Sequence, residues 1–444
     1  MIPVARPEWE QFVRRKIQIL PASSPANQMK SRLRLPFFLL PIALLAGCSK
    51  QTASTTNKTS SKNASKSSAS TGHIKTHTSP PLHKPLTAQQ LSNGLAVLTW
   101  HRIAEHPAQY TVTTPTKFAQ ELAVLHDAGA NVMRIEDAVK RVKAGIALPP
   151  RAVALCFDDG FKTCYTEVFP WLKHYHWPAT LYVYPDWISS GGGALSWDEL
   201  KEMQASHLVD VQSHTMGHPN LLKMRPKHGM NYEQRLHHEL FDSKTELEQK
   251  LGIKVTQLAY PYGYYNKHIM SVAKQAGYDS VWAVRASPFR ARFAKGETWM
   301  NLPRYLIYRD DSIQKFTRYA FGKPLKVVGL SPNPNSTNPN TMPTISARLG
   351  ESVDPKSVQM RLALIKEVSS TYNPKTHIVS FKPSSPLREG TWTVSVSATD
   401  KKGNFKIASW DFIVGQPTPT PDPTDMSDDA TATATVKPKP KTQP

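Results

Sequence analysis

The chain has 444 residues, with 55 Lys plus Arg against 34 Asp plus Glu (55 − 34 = +21), 37 prolines and 39% hydrophobic residues. That length excludes a single small disulfide-stapled fold and leaves room for two or three domains at roughly 100–200 residues each, while the proline content and modest apolar fraction mark part of it as linker. Three cysteines, Cys48, Cys156 and Cys164, are too few for a disulfide framework or a thiolate metal cluster, so any metal site must use His and carboxylate.

In chain order, the first pattern is Met29-Lys30-Ser31-Arg32-Leu33-Arg34, then the apolar run Leu35 to Ala46 and Gly47-Cys48-Ser49. A basic stretch, a short apolar stretch and small residues form a secretory signal, shorter than a comfortable bilayer span. Leu45-Ala46-Gly47-Cys48 resembles the lipobox of bacterial lipoproteins; the resemblance implies lipidation at Cys48, a membrane partner through that anchor, and an extracytoplasmic location. Residues 1–28 lack a pattern and read as an over-extended start, and 29–48 as the signal. Residues 49–90 are Ser, Thr, Asn and Lys with almost nothing apolar, a solvated tether. The positive charge suits an acidic surface, but no nucleic-acid partner is expected of an exported chain.

Between residues 91 and 322 buried-type strands alternate with amphipathic helices. Strands are predicted at 95–100, 153–157, 179–184, 209–213, 257–260, 280–284 and 304–307, with helices at 115–129, 161–173, 232–251 and 267–276 and one begun by the capping box Ser196-Trp197-Asp198-Glu199. Repeated βα units predict an α/β fold, a deformed (β/α) barrel whose reactive groups sit where strands end. Residues 324–415 change to short alternating strands at 326–330, 358–364, 377–381, 391–398 and 408–414, which suit a small antiparallel β-sandwich. The run Gly390 to Val396 followed by Asp400-Lys401-Lys402-Gly403-Asn404 resembles bacterial Ig-like modules. Residues 416–444 are dominated by Pro, Thr, Asp and Lys and read as a disordered tail.

The strand 153–157 delivers Asp158-Asp159-Gly160 at its C-terminal end, and the strand 209–213 delivers His214-Thr215-Met216-Gly217-His218 at the same predicted face. Adjacent carboxylates in a cleft resist joint ionisation unless a cation is near. Two imidazoles and one carboxylate make the three-ligand set of a hydrolytic zinc centre with an open position for water.

Cys156-Phe157-Asp158-Asp159-Gly160 resembles the first motif of the polysaccharide deacetylase (NodB-homology) family, and Ser213 to His218 its His-containing second motif. Tyr260-Pro261-Tyr262-Gly263 and Asp279-Ser280-Val281-Trp282 resemble its third and fourth. The resemblance implies removal of acetyl groups from an N-acetylated polysaccharide by a divalent metal, zinc in the first instance. Asp158 would be the general base, Asp159, His214 and His218 the ligands, and Pro261, Tyr262, Gly263 and Trp282 substrate contacts.

Two departures from the family pattern matter. The fifth motif, Leu302-Pro303-Arg304-Tyr305, has arginine where a proton-donating histidine is usual, and Ala259 stands where an arginine that orients the base is usual. His101, at the end of the first strand, is therefore the candidate acid, and Arg304 the candidate partner of Asp158. This arrangement resembles the branch acting on poly-β-1,6-N-acetylglucosamine. Peptidoglycan, chitin and acetylated xylan are alternative substrates, and a non-catalytic glycan-binding lipoprotein is the alternative of another class. Tyr184, Trp187, Tyr264 and Tyr265 are further candidates for stacking on sugar rings. Cys156 and Cys164 read as buried thiols rather than a disulfide. Oligomeric state is not legible.

Overall fold

The computed structural model describes residues 12, 13, 15, 94–106, 109–226, 228–290, 298–362 and 366–415. The expected signal, Cys48, the tether and the Pro/Thr-rich tail lie outside the described residues. Among the described residues no helix is long and apolar enough to cross a membrane.

Nine strands form a curled mixed sheet among the described residues: β1 (Gly94–Trp100), β2 (Asn131–Val132), β3 (Ala152–Asp159), β4 (Ala179–Val183), β5 (Val209–Ser213), β6 (Gln257–Ala259), β7 (Ser280–Trp282), β8 (Phe289–Arg290) and β9 (Tyr305–Leu306). The main run β7-β6-β5-β4-β3-β1 is parallel throughout. Leu302 bridges to Trp282 on β7, and β9 pairs with β1, so residues 302–306 close the sheet into a deformed barrel.

Strand parity separates the two cores. On β3, Val153, Leu155 and Phe157 face the helices, whereas Ala152, Ala154 and Cys156 face the lumen with Leu95, Val97, Tyr182, Ala259 and Trp282. The outer layer includes the helices Pro115–Asp127, Trp197–Ala205 and Lys267–Gln275, each begun by a polar N-cap; the capping box at Ser196 and Glu199 is fully formed.

Two helices predicted as continuous are interrupted. Residues 161–173 become a π-turn, Cys164–Val168, followed by a helix Phe169–Tyr175. Pro170 has no N–H for a bond to the carbonyl four residues back, so the chain widens there. Residues 232–251 break at His238–Asp242, also a π-turn.

The second unit has two sheets. One runs β10 (Lys323–Pro324), β19 (Phe405–Val414), β18 (Gly390–Thr399), β14 (Gln359–Leu362), β15 (Lys366–Val368), with β12 (Thr337–Asn338) also on β19. The other runs β11 (Val327–Ser331), β13 (Ile345–Leu349), β17 (Ile378–Phe381), β16 (Thr371–Asn373). Val394, Val396, Ala408, Trp410 and Phe412 fill the core between them. Most pairings are antiparallel, while β10 and β12 run parallel to β19. The two units touch: Ile407 joins the outer core of the barrel, with Phe405 packed against it.

Candidate metal-dependent active site

The lumen parity of β3 continues to Asp158, which is buried. Asp159 would point outward by alternation, but its φ of 76° turns the chain and brings its carboxylate to the barrel mouth. On β5, Val209, Val211 and Ser213 face outward, so His214, one residue past the strand end, faces inward. The loop after it, with Thr215 at φ 70° and His218 at φ 55°, folds His218 back over the same mouth. Glu239 fixes that loop by accepting hydrogen bonds from Met216 N–H (3.0 Å) and Gly217 N–H (2.9 Å), and Thr215 Oγ1 accepts from His218 N–H at 3.1 Å.

Asp159, His214 and His218 each offer a ligand atom, all within 4.8 Å of one another. Asp159 Oδ1 lies 3.6 Å from His214 Nε2 and 3.5 Å from His218 Nε2. Tetrahedral bonds of about 2.0–2.2 Å place neighbouring ligands roughly 3.3–3.6 Å apart, so the spacing fits a small divalent cation. Two further observations support that fit. Asp159 Oδ1 is buried with no hydrogen-bond partner among the described residues. His214 Nδ1–H donates to Ala259 O at 2.7 Å, which leaves the Nε2 lone pair for a metal. Burial also pushes the His214 pKa down, against the opposing pull of Asp158, to about 4, and lowers that of His218, so both rings are neutral as ligands must be.

Asp158 stands beside this set, with Oδ2 3.9 Å from His214 Nε2. Arg304, itself buried, donates from Nη1 to Asp158 Oδ1 at 2.7 Å, and its guanidinium carbon lies 5.1 Å from the centre of the Tyr182 ring. Burial pushes the Asp158 carboxyl up, but the Arg304 guanidinium beside it outweighs burial and the net value falls below the ordinary carboxylate range. This carboxylate is thus ionised and held in place by a cation from the closing segment of the barrel. His101, partly buried at the end of β1, is close enough to Asp158 and His218 to act on both, and its Nδ1 has no hydrogen-bond partner among the described residues.

Residues 145–281 match the family model described as Polysaccharide deacetylase, and residues 322–414 that described as Bacterial Ig-like domain. The chain carries a polysaccharide deacetylase domain. An Ig-like domain follows it. A poly-beta-1,6-N-acetyl-D-glucosamine N-deacetylase of Escherichia coli O157:H7 is 24% identical over 277 residues, covering 54% of this chain and 40% of that protein. A protein of the same name from Staphylococcus epidermidis is 30% identical over 173 residues, covering 38% of this chain and 59% of its own. The chain therefore spans less than half the length of the Escherichia coli relative it matches. A solved structure described as IcaB from Ammonifex degensii is 27% identical with a TM-score of 0.46, covering 52% of this chain and 98% of that one.

Within the deacetylase domain the structure brings Asp158, Asp159, His214, His218, His101 and Arg304 to one mouth. Tyr262 stands over it: its ring lies 4.8 Å from that of His218, and it is 56% exposed. It occupies a turn with φ 60°, followed by Gly263 at φ 74°, where a Cβ would come within 2.8 Å of the Val284 backbone. Glycine is required there to let the turn approach β7's continuation. Pro261 and Gly263 are themselves buried and shape the turn, and Gly263 also lines the groove beside it.

Trp282 departs from expectation. It is fully buried in the lumen, edge-on to Phe289 at 5.6 Å, with no ring face open to a sugar; lumen parity on β7 sends it inward. Tyr265 is likewise buried. Cys156 and Cys164 are free and buried; Cys156 Sγ lies 2.9 Å from Thr99 Oγ1, and burial pushes its thiol up to about 12. Sequence reasoning missed Glu239 and Tyr182, which hold the His loop and Arg304. Neither lies in a motif, although Glu239 sits on the inward face of its helix.

Proposed function

We propose that the protein hydrolyses the acetamido groups of poly-β-1,6-N-acetylglucosamine outside the cytoplasmic membrane, held there by a lipid on Cys48, with zinc as its metal. The observation that carries the hydrolytic reading is a three-residue metal set with a fourth carboxylate, Asp158, ionised and pinned beside it by Arg304. A non-catalytic glycan-binding protein has no use for such a base. The choice of polymer is supported by the names of the Escherichia coli and Staphylococcus epidermidis relatives, and by the pairing of Arg304 with Asp158.

A divalent cation on Asp159, His214 and His218 would supply Lewis acidity, polarising an amide carbonyl and making water a stronger acid. Asp158 then accepts the proton of the attacking water; its low pKa suits it to acidified water rather than to bulk water. By resemblance to the family, negative charge that develops on the carbonyl oxygen would be met by a backbone N–H near Tyr262. An amine anion cannot leave, so His101 delivers a proton to the nitrogen as the C–N bond breaks, releasing acetate and the free amine.

The test is acetate release from defined N-acetylglucosamine oligomers by zinc-loaded protein. Release from β-1,6 oligomers is expected, to be abolished by chelation and restored by zinc. Asp158→Asn is expected to lower turnover by about 10³ or more with metal still bound, and Asp159→Ala to lose the metal itself. Faster release from β-1,4 oligomers or acetylated xylan would overturn the choice of polymer. Absence of release from every acetylated glycan by metallated protein would overturn the enzyme.

A further inference from the structure

We propose that the Ig-like domain builds the far wall of the glycan groove, so that sugar units beyond the one at the metal centre lie between the two domains. The proposal rests on the deacetylase reading of the site. A groove of about 510 Å³ runs from the mouth of the barrel to the Ig-like domain, within the roughly 300–1,000 Å³ of small-molecule sites. Tyr110, Tyr262 and Tyr264 line its barrel side, and Arg388, Glu389 and Trp392, where β18 begins, line the other.

Three observations make this a built site. First, among the described residues the large hydrophobic side chains left most exposed are Tyr110 (58%), Tyr262 (56%) and Val328 (53%), and both tyrosines face this one groove. Exposed rings with polar tips suit a pyranose, which offers an apolar face to a ring and hydroxyls to its edge. Second, Tyr262 belongs both to the groove and to the metal centre, where its ring touches His218; a chain held in the groove is thereby delivered to the reacting position.

Third, the two walls are locked together. Asp411 of β19 is buried at the seam. Tyr265 OH donates to its Oδ2 at 2.8 Å, Arg285 Nε lies 3.5 Å from the same oxygen, and Thr393 Oγ1 donates to Oδ1 at 2.7 Å. Tyr265 lies three residues beyond Tyr262, so the Ig-like domain grips the turn that carries the exposed ring. On the Ig side Trp392 Nε1–H donates to Arg388 O at 2.8 Å, fixing the lip of the groove. Arg388, Glu389, Lys223 and Asn220 set donors and acceptors around the aromatic floor, the mixture that hydroxyl and acetamido groups require. A mere spacer would need neither the buried seam nor the aligned lip.

The experiment uses the full, zinc-loaded chain and β-1,6-linked N-acetylglucosamine dimer and pentamer. Binding is measured calorimetrically in an Asp158→Asn background, which holds the metal and stops turnover, and kcat/KM for acetate release is measured with Asp158 present. Arg388→Ala combined with Glu389→Ala is expected to raise the pentamer Kd about tenfold, to shift the dimer far less, and to lower the pentamer-to-dimer ratio of kcat/KM in parallel. Trp392→Phe, which keeps a ring at the edge of the Ig core, is expected to reproduce the same length dependence, with thermal melting to confirm the fold. Equal losses for both lengths, no loss for either, or no pentamer binding by the parent would overturn the proposal. Pentamer binding that follows this pattern without any acetate release would uphold the groove and remove the deacetylase reading instead.

Discussion

Asp158 and Glu121 are carboxylates shut away from solvent in the same domain, one at the barrel mouth and one in the layer between β1 and the helix Pro115–Asp127. The two regions treat them oppositely. At the mouth, Arg304 donates directly to Asp158, and the acid is held below its ordinary pKa. In the outer layer Glu121 accepts a hydrogen bond from Trp100 Nε1 at 2.8 Å, while the nearest cation, Lys117 Nζ, lies 3.7 Å away and donates instead to the carbonyls of Tyr308 (2.6 Å) and Arg309 (2.7 Å). Burial there pushes Glu121 up to about 7, against the weaker pull of Lys117. Desolvation raises both acids; a fixed guanidinium decides which stays charged. The site keeps a charged carboxylate by burying a second charge with it, and the outer layer leaves its acid half-protonated near neutral pH.

Arg304→Met should break the contrast most visibly. Removing one partner of a buried pair costs about 3–5 kcal/mol, because the remaining charge is left unpaired. Asp158 would then titrate upward as Glu121 does. Turnover near neutral pH is expected to fall about 10²–10³ with bound metal still near stoichiometric, and kcat/KM of the variant should climb with pH where the parent is already flat. Loss of the metal, or an unshifted acid limb, would mean that Arg304 serves the fold and not the ionisation of Asp158.

His101→Ala comes next. A general acid contributes about 10²–10⁴, so acetate release from the amide is expected to fall by roughly 10² or more with the metal retained. An aryl acetate has a leaving group that needs no proton, and its hydrolysis should lose less than about tenfold. Equal losses on amide and ester would place His101 in the framework of the mouth instead.

The same contrast explains what could be read from the chain. Asp158, Asp159, His214 and His218 were legible because they stand at or just beyond the C-terminal ends of two strands, Ala152–Asp159 and Val209–Ser213, where a barrel collects its reactive groups. The pairing of Arg304 with Asp158 was legible from a departure in motif, although 146 residues separate them. Glu121 was not: an acid on a helix reads as solvent-facing, and only the arrival of Trp100 and the helix Ile313–Phe321 against that face buries it. Trp282 misled because β7 has three residues, too few for alternation to reveal an inward position. The helix Ile135–Lys143 and the strand Ile345–Leu349 also went unread. The seam around Asp411 joins residues of two domains, and no local pattern announces such a contact.

Glu121→Gln is the smallest test and the one that isolates the outer layer. Its carboxyl has a folded pKa of about 7 against an ordinary 4.5, so the native state binds the extra proton. That contribution is fully present below about pH 4.5 and is lost as pH rises through about 7, so the parent should lose stability across this window. Glutamine keeps an acceptor for Trp100 Nε1–H and cannot ionise, so the variant should lose this slope and gain about 1–3 kcal/mol over the parent by pH 8, read from denaturant unfolding at several pH values. Acetate release should change by less than about twofold, since Glu121 touches no group at the mouth. An unchanged slope would show that Lys117 keeps Glu121 charged after all, and the difference between the two regions would reduce to geometry rather than protonation.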